Sequence, residues 1–252
     1  MIARPHKAGR QRKGESDRTA ASPDTVPSDI AWVCVEPASR FGRRPWSEGI
    51  LRLLPSPVPL SSGWHEFSLR IFDIVMSVAI LLGIWPLLLT AALLVKLTSP
   101  GPVIYRQQRV GRHHKIFTLY KLRTMSDGAE RDTGPVWAAA CDQRITVVGG
   151  ILRSTRIDEL PQLFNVLRGD MSLVGPRPER PCFVAQFAAL QGLRLAVKPG
   201  LTGLAQIRGR YDLRPDQKVK YDALYVQKRS IRLNAYLLLA TIPVVLLRRG
   251  WR

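Results

Sequence analysis

Between Arg153 and Glu179 the chain reads RSTRIDELPQLFNVLRGDMSLVGPRPE, which sets two adjacent carboxylates, Asp158 and Glu159, among Arg153, Arg156 and Arg177. Aspartate is a favoured helix N-cap, and a glutamate suits the first turn, where it meets the positive end of the helix. Pro161 would destabilise a helix interior but is accepted in the first turn, where its missing N–H has no intrahelical partner anyway. Leu160, Leu163, Phe164 and Leu167 recur at helical spacing, Arg168 falls in the last turn, and Gly169 is placed to end it. The spacing predicts a helix over 159–168 with both carboxylates at its positive end. An isolated Asp-Glu-Leu-Pro is a helix start and nothing more. Arginines on both sides, one of them in a rigid Gly-Pro-Arg-Pro turn, make the same feature a phosphate site, and their field keeps a carboxylate ionised. The chemistry that suits this set is attack of a carboxylate on phosphorus, with a metal ion screening the anions from one another.

Several elements must hold that segment. Val103–Arg109 and Lys115–Met125 are β-rich runs around a Val-Gly-Arg-His-His turn and predict a hairpin. Residues 126–150 read as loop, with a short strand at Ile145–Val148. Ile151–Arg168 reads as helical with a break near Asp158, and Met171–Val174 as a short strand. Cys182–Leu195 and Pro215–Lys228 read as helices. Leu233–Leu247 is uncharged over 15 residues and contains Pro243. It is too short to span a bilayer and is expected at an interface or capping the core. The glycine-rich tract VKPGLTGLAQIRGR (197–210) reads equally as a surface loop or as a loop over a phosphate. His113 and His114 lack a third partner at metal-ligand spacing and are expected in solvent.

Upstream, Ile74–Val95 is a run of 22 residues without a charge. As a helix it would measure about 33 Å, the thickness of a bilayer's hydrocarbon core. Its length and the lack of a polar face argue against a buried helix of a soluble protein. Both flanks are basic: Arg40, Arg43, Arg44, Arg52 and Arg70 on one side, Lys96, Arg106, Arg109, Arg112 and Lys115 on the other. Basic flanks mark the cytoplasmic side, and Pro86 at the middle of the run supplies a bend. Together they predict a helix that enters and leaves by the same face, with a straight span as the rival.

The whole chain carries 38 Lys and Arg against 19 Asp and Glu, a formal charge of +19, so its partner is expected to be polyanionic. Residues 1–66 hold ten basic and seven acidic residues and eight of the 19 prolines, and read as a loosely packed or disordered extension. Cys34, Cys141 and Cys182 show neither disulfide nor metal spacing and suit a reducing compartment. No helix-turn-helix, zinc-finger or aromatic-basic strand signature supports a nucleic-acid-binding protein. A membrane-bound assembly protein without catalysis would leave the converging charges at 153–179 without a purpose.

The ordered motifs SPGPVIYRQQRVG, FTLYKLRTM, RIDELPQLFNVLRGDMSLVGPRPE and VKPGLTGLAQIRGR, following an apolar helix with a central proline, closely resemble the bacterial sugar transferases. These are the monotopic phosphoglycosyl transferases, or polyprenyl-phosphate hexose-1-phosphate transferases. The resemblance covers about 67–250, and with no transmembrane bundle ahead of the helix it is to the short form. It implies an α+β fold: residues 1–66 as extension, 67–98 as a re-entrant membrane helix bent at Pro86, and 99–252 as a compact catalytic domain with interfacial helices. That domain would lie on the cytoplasmic face of the bacterial inner membrane. It implies Asp158 as nucleophile, Glu159 as its partner in holding Mg2+ (or Mn2+), Arg153 as a phosphate contact, Arg177 at the nucleotide-sugar end, and Lys121 and Arg123 as basic residues of the preceding strand. The implied reaction moves a sugar 1-phosphate from a UDP-sugar to polyprenyl (undecaprenyl) phosphate and releases UMP, in exopolysaccharide, capsule or O-antigen synthesis. The expected partners are those substrates and inner-membrane lipids, with a second copy of the chain and downstream glycosyltransferases as further candidates and no nucleic acid. Two departures from the family pattern, Asp142-Gln143-Arg144 for Asp-Pro-Arg and Gly149-Gly150 for Gly-Arg, bear on loop geometry.

Overall fold

The structure is a computed structural model that describes residues 63–129, 142–209 and 215–247. The 1–62 part of the extension, Cys34, Cys141 and the basic end after residue 247 lie outside the described residues. The long apolar segment forms α1 (Gly63–Thr98), 36 residues, starting ahead of the expected residue 67. It runs unbroken through Pro86, and Thr90 Oγ1 donates to the Pro86 carbonyl at 2.8 Å. Leu69, Asp73, Ser77, Ala91 and Val95 make a buried stripe at helical spacing. The rest of the surface is apolar and open: only 11% of its most apolar 18 residues are buried. A buried core helix would show the reverse, so the structure favours the membrane reading of this segment.

After α1 come β1 (Ile104–Val110) and β2 (Ile116–Leu122), an antiparallel hairpin in which Tyr105 faces Lys121 and Val110 faces Ile116. His113 and His114 lie exposed in the connection, both at positive φ. Next are α2 (Val147–Ser154), a 3₁₀ turn at Ile157–Glu159, and α3 (Gln162–Arg168). They are followed by β3 (Ser172–Val174), α4 (Pro181–Gln186), β4 (Gly200–Thr202), α5 (Leu204–Gly209), α6 (Pro215–Lys228) and α7 (Ile231–Leu246). β3 and β4 pair in parallel. Among the described residues, helices and two small two-stranded sheets make an α+β arrangement, as expected.

One core joins Phe117 and Leu119 of β2, Leu163 and Val166 of α3, Leu173 and Val174 of β3, Tyr225 of α6 and Leu237 of α7. The inner face of α1 (Met76, Ile80, Ile84) packs on it. Buried Asn165 welds α3 to β2, accepting from Tyr120 N (3.1 Å) and donating to the Thr118 carbonyl (2.7 Å), as a neighbouring strand would. From α1, Arg70 donates to the Val166 and Leu167 carbonyls at the end of α3. Asp73 Oδ1 accepts from Ser172 Oγ and Leu173 N at 3.0 and 3.1 Å. The apolar helix is thus tied by charge to the helix and strand that frame the site.

Four local expectations are corrected. Val147 and Val148 begin α2 rather than continuing a strand; Thr146 caps that helix through Gly149 N, leaving only Ile145 in a bridge to Met125. The stretch 182–195 is not one helix, because Phe187 is extended and Gly192 has φ 80°; it forms α4 and two 3₁₀ turns. On α3 the buried face is Gln162, Leu163, Asn165 and Val166, and Phe164 is exposed. Asp158 does not cap α3. It lies inside the 3₁₀ turn, and α3 starts after Pro161 with no side-chain cap. Gly169 does end α3, at φ 91°. Ser230 caps the start of α7, its hydroxyl accepting from Leu233 N; the helix covers the core through Asn234 and Leu237 and exposes Tyr236, Leu239 and Ile242.

Candidate active site

Arg156 has φ 61° and ψ 11°, a left-handed conformation that costs an arginine about 1–3 kcal/mol. That residue turns the chain out of α2 and into the 3₁₀ turn carrying Asp158 and Glu159, both buried. On β2, Lys121 shares the inward face with Phe117 and Leu119, since alternate residues of a strand point the same way. A lysine there needs an anion, and Glu159 Oε1 is 3.0 Å from its Nζ. Arg177 grips the same carboxylate with both terminal nitrogens, Nη2 to Oε1 at 2.6 Å and Nη1 to Oε2 at 3.2 Å. Arg156 Nη1 stands 3.9 Å from Oε1. Glu159 is therefore enclosed by three cations. Burial would raise its pKa, but Arg177 and Lys121 outweigh burial and hold it well below the usual carboxylate range. Burial likewise pushes Lys121 down, against the pull of Glu159.

Asp158 is in a different state. It is 6% exposed, and its Oδ1 is buried with no hydrogen-bond partner. Burial pushes its pKa up to about 6; Lys121 opposes this, the Glu159 charge adds to it, and Arg153 and Arg156 act against it. Neighbouring carboxylates are thus driven apart, one permanently ionised and neutralised, the other ionised near neutrality with a free oxygen. Carboxylates driven apart in this way can divide the work of a site, one reacting and one holding charge. Arg153 Nη1 is also buried without a partner and is available to a ligand oxygen.

A magnesium ion takes one or two carboxylates and completes its shell with substrate phosphates and water. The free Asp158 oxygen fits that demand, whereas both Glu159 oxygens already accept from cations. Among the described residues no group of three or more His, Cys, Asp or Glu comes together.

The structure brings Asp158, Glu159, Lys121, Arg153 and Arg177 into one locality. Arg123 points elsewhere, donating from Nη2 to the Ser99 carbonyl at 2.7 Å with Nε and Nη1 buried and unpartnered, and so holds the end of α1 to β2. Pro86 sits within the apolar helix. Arg109 was not expected here. Its Nη1 donates to the Pro178 carbonyl (2.9 Å) and lies 4.0 Å from Glu179, and burial lowers its pKa to about 10. In the sequence it was one of several basic residues beside a predicted turn, and nothing there set it apart. The glycine tract is also explained. Gly200 crosses Gly175 so closely that a Cβ on it would collide with Gly175 N, so the tract clasps the Gly-Pro-Arg-Pro turn. The two motif departures are accommodated: Arg144 pairs with Asp142 at 2.6 Å, and Gly150 faces open space.

The model of the bacterial sugar transferases matches residues 64–248, which spans the whole of this site and the apolar helix. The chain belongs to the bacterial sugar transferase family. It is 41% identical over 206 residues to the UDP-N-acetylgalactosamine-undecaprenyl-phosphate N-acetylgalactosaminephosphotransferase of Aeromonas hydrophila, a match covering 79% of this chain and 47% of that protein. It is 44% identical over 213 residues to the UDP-glucose:undecaprenyl-phosphate glucose-1-phosphate transferase of Caulobacter vibrioides, covering 79% and 77%. To the undecaprenyl-phosphate galactose phosphotransferase of Salmonella typhimurium it is 42% identical over 200 residues, covering 73% and 42%. The chain spans less than half of the first and third of these relatives. Their names carry three different sugars at nearly equal identity, so overall likeness does not select one.

Proposed function

We propose that this sugar transferase moves a sugar 1-phosphate from a UDP-sugar to polyprenyl phosphate, with Asp158 as nucleophile. In the first step an Asp158 oxygen attacks the phosphorus bonded to the sugar. The bond from that phosphorus to the bridging oxygen breaks, and UMP leaves with the bridging oxygen. In the second step an oxygen of the lipid phosphate attacks the same phosphorus, the bond to Asp158 breaks, and the carboxylate is restored. Asp158 ionises near neutrality, and its buried Oδ1 has no hydrogen-bond partner; this single observation carries the reading. Glu159 is the fixed anion that holds Lys121, Arg156 and Arg177 in array, and those cations with Arg153 oppose the negative charge of two phosphorylated substrates. Asp158 would hold Mg2+, with Glu159 adjacent; the ion would screen the phosphates and neutralise the charge gathered on the departing UMP. UMP release from a panel of UDP-sugars, with and without polyprenyl phosphate, tests the reaction and identifies the donor. Chelator should stop that release and added Mg2+ restore it; full activity in chelator would remove the metal from the account.

The acceptor is a lipid, so the site must lie at the membrane. We place the domain on the cytoplasmic leaflet, where nucleotide sugars are found, with α1 entering and leaving by that face. Basic residues on both sides of the apolar run and Pro86 within it support this path over a straight span. The product would start a lipid-linked polysaccharide, and a second copy of the chain or later glycosyltransferases would be its protein neighbours.

A further inference from the structure

We propose that Arg194 and Asp222, remote in sequence from the carboxylate pair, are positioning residues that aim Arg177 at Glu159 through the main chain. The inference rests on the function proposed above and adds two residues to its machinery. Arg177 lies between Pro176 and Pro178, so its turn lacks two of the N–H groups by which a chain is usually held. The carbonyls are the remaining grips: Gly200 N takes that of Pro176 at 2.9 Å, and buried arginines take the next two. Arg194 Nη2 donates to the Arg177 carbonyl at 2.8 Å, and Arg109 Nη1 to the Pro178 carbonyl at 2.9 Å. Arg194 in turn lies against a carboxylate: its Nε is 3.2 Å from Asp222 Oδ2, an ion-pair contact whose two atoms are not aligned as a hydrogen bond, with the two side chains 3% and 5% exposed. The relay runs from Asp222 on α6 to Arg194 in the 192–196 turn, to the Arg177 carbonyl, and from the Arg177 guanidinium to both oxygens of Glu159.

A buried ion pair is weak evidence of stability, because its desolvation offsets most of its attraction. This pair has a geometric task, fixing the rotation of a turn whose side chain completes the array around Glu159. Glu179 also stands near Asp222 and Arg194, but Lys218 (3.4 Å) and Arg109 (4.0 Å) hold it, so Asp222 is left as the close ion-pair partner of Arg194.

The experiment is a double-mutant cycle of Arg194→Met with Arg177→Ala, read by single-turnover UMP release and by thermal unfolding. Arg194→Met alone should lower the rate by an order of magnitude or more, since a 1 Å misplacement at a reacting site costs about 100-fold. In the Arg177→Ala background it should lower the rate by no more than about twofold, because nothing remains to aim. Arg194→Lys should recover part of the loss. An equal loss in both backgrounds, or no loss at all, overturns the inference. If Arg194→Met does not fold, Asp222→Asn, which keeps the volume and removes the charge, enters the same cycle with the same criteria. The unfolding cycle needs no substrate, and the two changes should be non-additive there as well. A wild-type chain that releases no UMP therefore defeats the proposed reaction, while additive unfolding defeats the relay.

Discussion

At the scale of the residue, the pair Asp158–Glu159 should respond in opposite ways to loss of charge. A carboxylate whose folded pKa is raised from 3.8 to about 6 binds its proton more tightly in the native state. Its ionisation therefore costs stability as pH rises from about 4 through about 6, and the whole cost is present at neutral pH. Asp158→Asn should end turnover and raise the melting temperature at neutral pH, by the equivalent of about 1–3 kcal/mol. A lower melting temperature would mean that partners hold this carboxylate. Glu159→Gln would leave Lys121, Arg156 and Arg177 around a neutral amide, and should cost about 3–5 kcal/mol as well as activity. The same pKa predicts a pH profile. kcat/KM for the UDP-sugar reports the first displacement alone, so titration of the lipid phosphate does not enter it. It should fall about tenfold per pH unit below about pH 6. A profile flat down to pH 4 would separate Asp158 ionisation from catalysis.

At the scale of the element, α1 holds the site from below. Arg70 caps the end of α3 and Asp73 pairs with β3, so a shift of α1 is felt directly by the frame of the carboxylate pair. Its path is tested with single cysteines at Ser16 and Ser126, the native cysteines replaced, and a membrane-impermeant thiol reagent on intact cells. Both positions should stay unlabelled until the cells are opened; labelling of Ser16→Cys in intact cells would establish a straight span. Pro86→Leu should move the extension outward or inactivate the protein, and an unchanged topology and activity would show that Pro86 does not set the path of α1. Much of this frame was legible in the sequence. Alternation made the β1–β2 hairpin readable, Gly169 marked the end of α3, and α6 was readable to the residue. The errors arose where tertiary structure overrode local preference. Arg156 in the left-handed region moves Asp158 from a cap into a 3₁₀ turn, and no residue type announces that conformation. Phe164 looked like core by spacing, yet the buried α3 face includes polar Asn165, whose partner is a strand edge more than 40 residues away. Arg153 and Arg177 could be chosen because they flank the carboxylate pair, and Lys121 because its motif resembled a family, but that Glu159 would absorb three cations was visible only in space.

At the scale of the whole molecule, apolar surface and positive charge act together. Exposed Phe67, Ile71, Val75, Leu82 and Trp85 on α1 give the chain an apolar side that water does not cover favourably, and a net charge of +19 draws it to anionic lipid. Salt screens the second attraction and not the first. Membranes washed in high salt should therefore retain the protein, and detergent should release it; release by salt alone would reduce α1 to a peripheral contact. The site lies on the domain that this helix braces, and the proposed reaction needs a soluble donor and a membrane-confined acceptor to meet there in turn. That order of events is the centre of the account. Purified protein should be given its UDP-sugar without any polyprenyl phosphate, and both the UMP released and the mass of the peptide containing Asp158 should be measured. About one UMP per active site, with a sugar phosphate on Asp158 that disappears when lipid phosphate is added, is the predicted result. UMP release that strictly requires the lipid, with Asp158 never modified, would contradict it.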